Sequence, residues 1–414
     1  MIKEYITRQH YIDRIKPYIG KDIIKVITGQ RRVGKSYLLF QIMDVVTASD
    51  PEAQIIYINK ELYEFDFIDN YKALLAYIKD KVKGKKNCYV FIDEIQDIDQ
   101  FEKALRSLSA EGGYDIYCTG SNAGLLSGDL ATYLSGRYIE IKVFCLSYIE
   151  FLEFHKLQKD PEAFLKYIKY GGLPYLINLK LKDDIVYDYL KNIYNTILFK
   201  DVVKRHRIRN IAFLERLTIY LADNAGSLVS AKKISDFLKS QKTNISPNVV
   251  LNYLSHLESA FFILKVQRSE IAGKKIFEIG EKYYFEDLGL RHTIVGYQQA
   301  DIDRILENLV FIHLKRSGYD ITVGRIGGKE IDFACEKKGE RLYVQVAYMI
   351  TDQKVHDREF GNLLEIKDNF TKIVVSMDEI TGGTFKGIRH VNIRDFLVTC
   401  SGKQAKGGLV SKLF

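Results

Sequence analysis

Residues 22–36 read DIIKVITGQRRVGKS. The β-branched run Ile23, Ile24, Val26 and Ile27 predicts a buried parallel strand, and GQRRVGKS follows it without a break. From Gly29 to Ser36 the spacing is G-x-x-x-x-G-K-[ST], a Gly-rich turn whose backbone N–H groups close around phosphate oxygens. Gly29 and Gly34 suit that turn because a Cβ at either position would intrude on it. A helix is predicted from about Gly34, with Tyr37, Leu38, Leu39, Ile42, Met43 and Val46 on its apolar face, and its positive end faces the same anion. Lys35 is expected to reach the β- and γ-phosphates of a nucleotide, and the Ser36 hydroxyl to ligate Mg²⁺. Gln30, Arg31, Arg32, Val33 and Tyr37 complete the stretch expected to line it.

Downstream, IIYIN (55–59) reads as a second strand and CYVFIDEIQ (88–96) as a third that ends in two acids. Asp93 is expected in the Mg²⁺ shell, and Glu94 is expected to orient or deprotonate the attacking water. The next strand, YDIYCTGSN (114–122), ends in small polar residues at the level of a γ-phosphate. Ser121, then Asn122, are the expected phosphate sensors; alternatively one of them caps a short helix. RYIEIKVF (137–144) is the last strand of this region. Arg137 at its start reads either as a finger reaching a neighbouring subunit's nucleotide or as a salt-bridged surface arginine. Strands alternating with helices predict a parallel, doubly wound sheet with ligands at the carboxyl ends of its strands.

Taken together, GQRRVGKS, FIDEIQ, TGSN and SGRYIEIKVFCLSYIEFL resemble the AAA+-type ATPases of a large prokaryotic group. In that group an ATPase core is joined to a C-terminal domain of uncharacterised function, similar to restriction-endonuclease folds. The likeness covers nearly the whole chain. It implies an α/β fold: a P-loop NTPase parallel sheet core, a helical lid, a winged helix-turn-helix domain and a C-terminal α/β restriction-endonuclease-like domain. The implied ligands are ATP and Mg²⁺. The corresponding segments are 1–145 (core), 146–210 (lid), 211–290 (winged helix) and 291–414 (degenerate nuclease-like domain).

The lid segment ends in the cations Lys200, Lys204, Arg205, Arg207 and Arg209. They suit phosphates of nucleic acid or of a neighbour's ATP, or simply a solvated helix end that favours cations. In 211–290, three helices precede a hairpin, with Ser230 and Ser246 as N-caps and Pro247 at a first helical position. A DNA-binding reading presents Asn248, Asn252, Ser255 and His256 to a groove, with Lys274 and Lys275 meeting phosphate. Glu258 opposes such contact, and a protein-docking role is the alternative. In 291–414 the nuclease-like resemblance implies a helix acid, a hairpin Asp and a Glu-x-Lys. Glu307 and Asp332 fill the first two positions, but Gln345 and Ala347 replace the Glu and the Lys. Two acids are thin coordination for Mg²⁺, although Glu330 or Glu336 stands nearby in sequence, so nuclease activity is not expected.

The 414 residues suffice for two to four domains. The net charge of +8 fits a polyanionic partner. The five cysteines, Cys88, Cys118, Cys145, Cys335 and Cys400, form no C-x-x-C pair and read as reduced core residues. No apolar run reaches the ~18–20 residues of a membrane span, so a cytoplasmic protein is expected. The leading expectation is an ATPase acting on or regulated by DNA, open to homo-oligomerisation. The alternatives are a nucleotide-controlled protein-binding switch and an ATP-dependent nuclease.

Overall fold

The computed structural model describes residues 5–82, 88–126, 134, 136–240, 244–271, 276–379, 381 and 383–399, with backbone only at 276–279. Lys274, Lys275 and Cys400 lie outside these residues. The chain divides into two compact units, Met1–Cys145 with Ser259–Phe261, and Leu146–Glu258 with Phe262–Phe414.

The first unit runs α1 (Gln9–Ile15), β1 (Ile24–Thr28), α2 (Lys35–Ser49), β2 (Gln54–Asn59), α3 (Tyr71–Lys81), β3 (Cys88–Asp93), α4 (Phe101–Glu111), β4 (Tyr114–Gly120) and β5 (Tyr138–Lys142). Its five strands are parallel in the order β2-β3-β4-β1-β5. Every residue of β1 and of β3 is buried, as in strands covered by helices on both faces. Val26, Ile58, Val90 and Ile116 of the sheet pack with Leu74 and Ile78 of α3 and Leu105 and Leu108 of α4. Asn70 starts α3 by accepting hydrogen bonds from the N–H groups of Lys72 and Ala73. Charged residues also enter the sheet: Lys25, fully buried in β1, is ion-paired with Asp115 of β4.

In the second unit, helices Tyr148–His155, Pro161–Tyr170 and Asp183–Thr196 lead into a π-helical stretch, Ile197–Lys204. Ser147 and Glu150 form a capping box on the first of these helices. Helices Ile211–Asp223, Ala231–Ser240 and Pro247–Ser259 then precede the antiparallel pair β6 (Ile263–Glu270) and β7 (Ile276–Phe285). Ser230 and Ser246 accept from the N–H groups of Lys233 and Val249, so both act as caps. After helices Leu288–Val295 and Ile302–Arg316 come β8 (Asp320–Ile326), β9 (Lys329–Lys337), β10 (Glu340–Val346), helix Gln353–Leu364, β11 (Thr371–Ser376), β12 (Thr384–Phe385), β13 (Ile388–Asn392) and helix Ile393–Val398.

These strands form one eight-stranded sheet in the order β12-β13-β11-β10-β9-β8-β6-β7. A domain line after residue 290 would therefore cut a continuous sheet, because β6 runs parallel to β8 through Arg268, Ser269 and Glu270. The core explains the fusion. Val266 of β6 and Tyr284 of β7 share one apolar cluster with Leu309 of helix Ile302–Arg316, Phe333 of β9 and Val344 of β10. The opposite face carries Ile331, Tyr343 and Val374, packed against Phe360 and Leu363 of helix Gln353–Leu364. Cys88, Cys118, Cys145 and Cys335 are buried free thiols. Among the described residues no helix is long and apolar enough to cross a membrane.

Candidate active site

The turn between β1 and α2 is built on left-handed backbone at Arg32 (φ 68°) and Gly34 (φ 94°). Gly29 (φ 149°) lies so close to the chain after β5 that a Cβ would stand 2.2 Å from the Val143 carbonyl oxygen. Gln30 is fully buried, donating through Nε2 to the Phe261 carbonyl at 3.2 Å. Arg31 pairs with Glu61 at 3.3 Å, and Val33 belongs to the buried interior. Tyr37 points outward and is 47% exposed. Lys35 curls over the turn, with Nζ donating to the carbonyls of Gly29 and Gln30 at 3.0 Å each.

The two acids sit at the carboxyl end of β3, beside this turn. Asp93 accepts from the hydroxyls of Ser36 and Thr119. Burial raises its carboxyl pKa, and those hydroxyls only partly oppose the shift. Glu94 takes left-handed backbone (φ 56°, ψ 53°), a conformation costly outside glycine and concentrated at functional sites. Its N–H donates to Thr119 Oγ1 at 3.0 Å. Its Oε2 accepts from Gln96 Nε2 and, at 3.1 Å, from Ser121 Oγ, while Oε1 lies 3.9 Å from Lys35 Nζ. Burial works against its charge, yet Lys35 and Arg31, with the Gln96 and Ser121 hydrogen bonds, hold the carboxyl below its usual range. Glu94 is therefore an ionised carboxylate held in a fixed geometry. Ser36 and Asp93 bring a hydroxyl and a carboxylate together, and this all-oxygen donor set fits Mg²⁺.

The phosphate-sensing pair separates. Ser121 is buried on Glu94, whereas the Asn122 amide oxygen accepts from the Gly124 N–H at 2.6 Å and caps the short turn Ala123–Leu126. Arg137 is exposed at the start of β5, and Ile24 is paired with Tyr138 next to it. It thus stands at the amino edge of the sheet, about 15 Å of strand away from the turn that follows β1. Thr119 and Gln96 were not singled out by the sequence. Their signal is weak, a Thr before Gly-Ser and a Gln two residues after the acid pair. Gly120 gives Gln96 its room, since a Cβ there would come within 2.7 Å of Gln96 Oε1.

In the second unit Lys200, Lys204, Arg207 and Arg209 are exposed, while Arg205 faces the buried Asp201 at 3.9 Å. The basic run meets helix Pro247–Ser259 where the His206 and His256 rings stack at 3.9 Å. Asn248, Asn252 and Ser255 are exposed on that helix. Of the acids expected near Asp332, Glu336 turns outward to Arg341.

Residues 21–152 match the family model described as an AAA domain, and residues 161–301 match a domain of unknown function (DUF8612). An uncharacterized protein of Haemophilus influenzae is 37% identical over 408 residues, 96% of this chain and 100% of that protein. An uncharacterized protein of Methanocaldococcus jannaschii is 34% identical over 346 residues, 80% of this chain and 75% of that protein. Among solved structures, the Walker-type ATPase PABY2304 of Pyrococcus abyssi aligns with a TM-score of 0.49 at 17% identity, covering 70% of this chain and 96% of that one.

Proposed function

Since the chain belongs to one family with those uncharacterized proteins of H. influenzae and M. jannaschii, and carries an AAA domain, we propose that it is an ATPase that hydrolyses ATP with Mg²⁺ and acts on, or is regulated by, DNA. The observation that carries the hydrolytic part is Glu94, ionised and clamped by Ser121 and Gln96 within 3.9 Å of Lys35. ATP phosphates enter the Gly29–Ser36 turn, and Lys35 exchanges its two carbonyl partners for β- and γ-phosphate oxygens. Ser36 and Asp93 would hold Mg²⁺, which would supply neutralisation of phosphate charge. Glu94 takes the proton of the attacking water, and Ser121 keeps the carboxylate aimed while the γ-phosphate is present. Arg137, too far along β5 to serve its own site, acts on a neighbour's nucleotide. Nucleotide state is then relayed to the second unit as a whole, because segment 211–290 shares its sheet with the strands that follow.

The DNA reading is supported by the stacked His206–His256 contact, which unites four exposed cations with the exposed amides of a helix. Those cations would meet phosphates, and Asn248 and Asn252 would meet base edges. The test is ATP turnover with and without duplex DNA across a salt series. Several-fold stimulation that collapses as salt rises is expected; turnover indifferent to DNA at low salt contradicts the reading. The same helix also exposes Val249 and Leu251, which favours a second reading, a nucleotide-controlled switch whose helix docks a protein.

A further inference from the structure

A second buried charge cluster lies in the eight-stranded sheet, far in sequence from the nucleotide turn. At its centre is Lys282 of β7, only 3% exposed. Its Nζ donates to Glu307 of helix Ile302–Arg316 at 2.7 Å and lies 2.9 Å from Glu330 of β9. The same Glu307 oxygen accepts from the Tyr284 hydroxyl at 2.6 Å. Asp332, two residues along β9 from Glu330, accepts from the Val346 N–H at 2.8 Å, and its own N–H donates to Gln345 Oε1 at 3.3 Å. Gly226 closes over the helix acid, since a Cβ there would stand 3.2 Å from the Glu307 carboxylate.

These are the acids at which the nuclease-like resemblance places a divalent metal, and with Lys282 seated on two of them the set does not fit one. Gln345 supplies a neutral amide whose oxygen is used on the Asp332 backbone. Ala347 is buried and offers no polar group. Among the described residues no group of three or more His, Cys, Asp or Glu side chains is arranged to hold a metal ion. The cation is instead already present. We propose that the Lys282 ammonium is the built-in cation of this pocket, standing where a divalent metal would otherwise bridge Glu307, Glu330 and Asp332.

Charge and geometry support the assignment. An ammonium has three donors and no acceptor, and here it serves two carboxylates from different elements. Burial works against the charge on Lys282, but Glu307, Asp332 and Glu330 outweigh it and hold the ammonium ionised. Burial and the Glu307 charge push the Asp332 carboxyl well above its usual range, and the Lys282 ammonium opposes that shift. A metal ion entering beside Lys282 would meet like charge at short range in a poorly solvated site. The cluster consequently fastens β7 to the helix and to β9 without recruiting an ion, and it supports no metal-assisted hydrolysis.

The probe is Tb³⁺, which takes carboxylate oxygens and whose emission Tyr284 would sensitise, with Mn²⁺ as competitor. Full-length wild type and D332N are expected to titrate alike. K282M is expected to gain one saturable site, displaced by Mn²⁺ and absent from K282M/D332N. An Asp332-dependent Tb³⁺ site in wild type would overturn the proposal, as would a folded K282M without the new site. Should K282M fail to fold, K282M/E307Q removes one charge of each sign and is expected to recover a cooperative melt close to that of wild type. A double variant no better folded than K282M would contradict the counter-ion role.

Discussion

Lys25, Glu94, Lys282 and His313 are ionisable side chains placed where water does not reach them, and each location has a different physical answer. Lys25 and Lys282 are neutralised by acids on neighbouring strands or helices. Glu94 keeps its charge through Lys35 and Arg31. His313 has no such partner: burial, and then the Arg316 charge, lowers its pKa from 6.5 to about 3, and its Nε2 has no hydrogen-bond partner. The ring is therefore neutral when folded but protonates in the unfolded chain below pH 6.5. Between the two values the unfolded state binds the extra proton, so this residue's contribution to stability falls as pH falls. His313→Leu removes the effect. The stability of the variant relative to wild type should improve by about 1.4 kcal/mol per pH unit from pH 6.5 towards 4, measured by denaturant melts. A difference independent of pH would mean that the ring is charged in the fold. Sequence made the nucleotide residues legible at this scale, because Gly29, Lys35, Ser36, Asp93 and Glu94 stand at fixed spacings. It did not reveal Thr119, Gln96 or Lys282, whose roles depend on strand register and on partners distant in the chain.

At the scale of elements, the nucleotide turn is shaped by a contact between non-consecutive segments. Gly29 presses against the Val143 carbonyl beyond β5, so β5 fixes how tightly the turn closes. Gly29→Ala should cost about 2–4 kcal/mol through backbone overlap and strain and should abolish nucleotide binding, read by thermal melts with and without ATP. An unchanged melt would show that the turn does not need this approach. The alternation of apolar strands and amphipathic helices disclosed the parallel sheet before the structure did, since period and length are local signals. The partnership of β6 with β8 was not legible. A hairpin reads the same whether it flanks three helices or extends another sheet, and only the shared cluster of Val266, Tyr284 and Phe333 decides between them. Ser121 and Asn122 show the same limit on a smaller scale. Neighbours in sequence, they face a carboxylate and a turn respectively, because the strand ends at Gly120, just before them.

For the whole molecule, two compact units carry two buried charge systems of opposite design. In the first, Glu94 is ionised beside a lysine that can exchange its carbonyl partners for phosphate. In the second, Lys282 is committed to acids and fills its own pocket. On the proposed reading one system receives a ligand and the other does without one, and the first lies in the AAA domain. The most direct measurement is ATP turnover of wild type and Glu94→Gln, with ATP binding measured on both. The account predicts that the variant binds ATP as wild type does but turns over about 10²–10⁴-fold more slowly, the loss expected for a general base. Equal turnover in the two proteins would contradict it and remove Glu94 from the reaction.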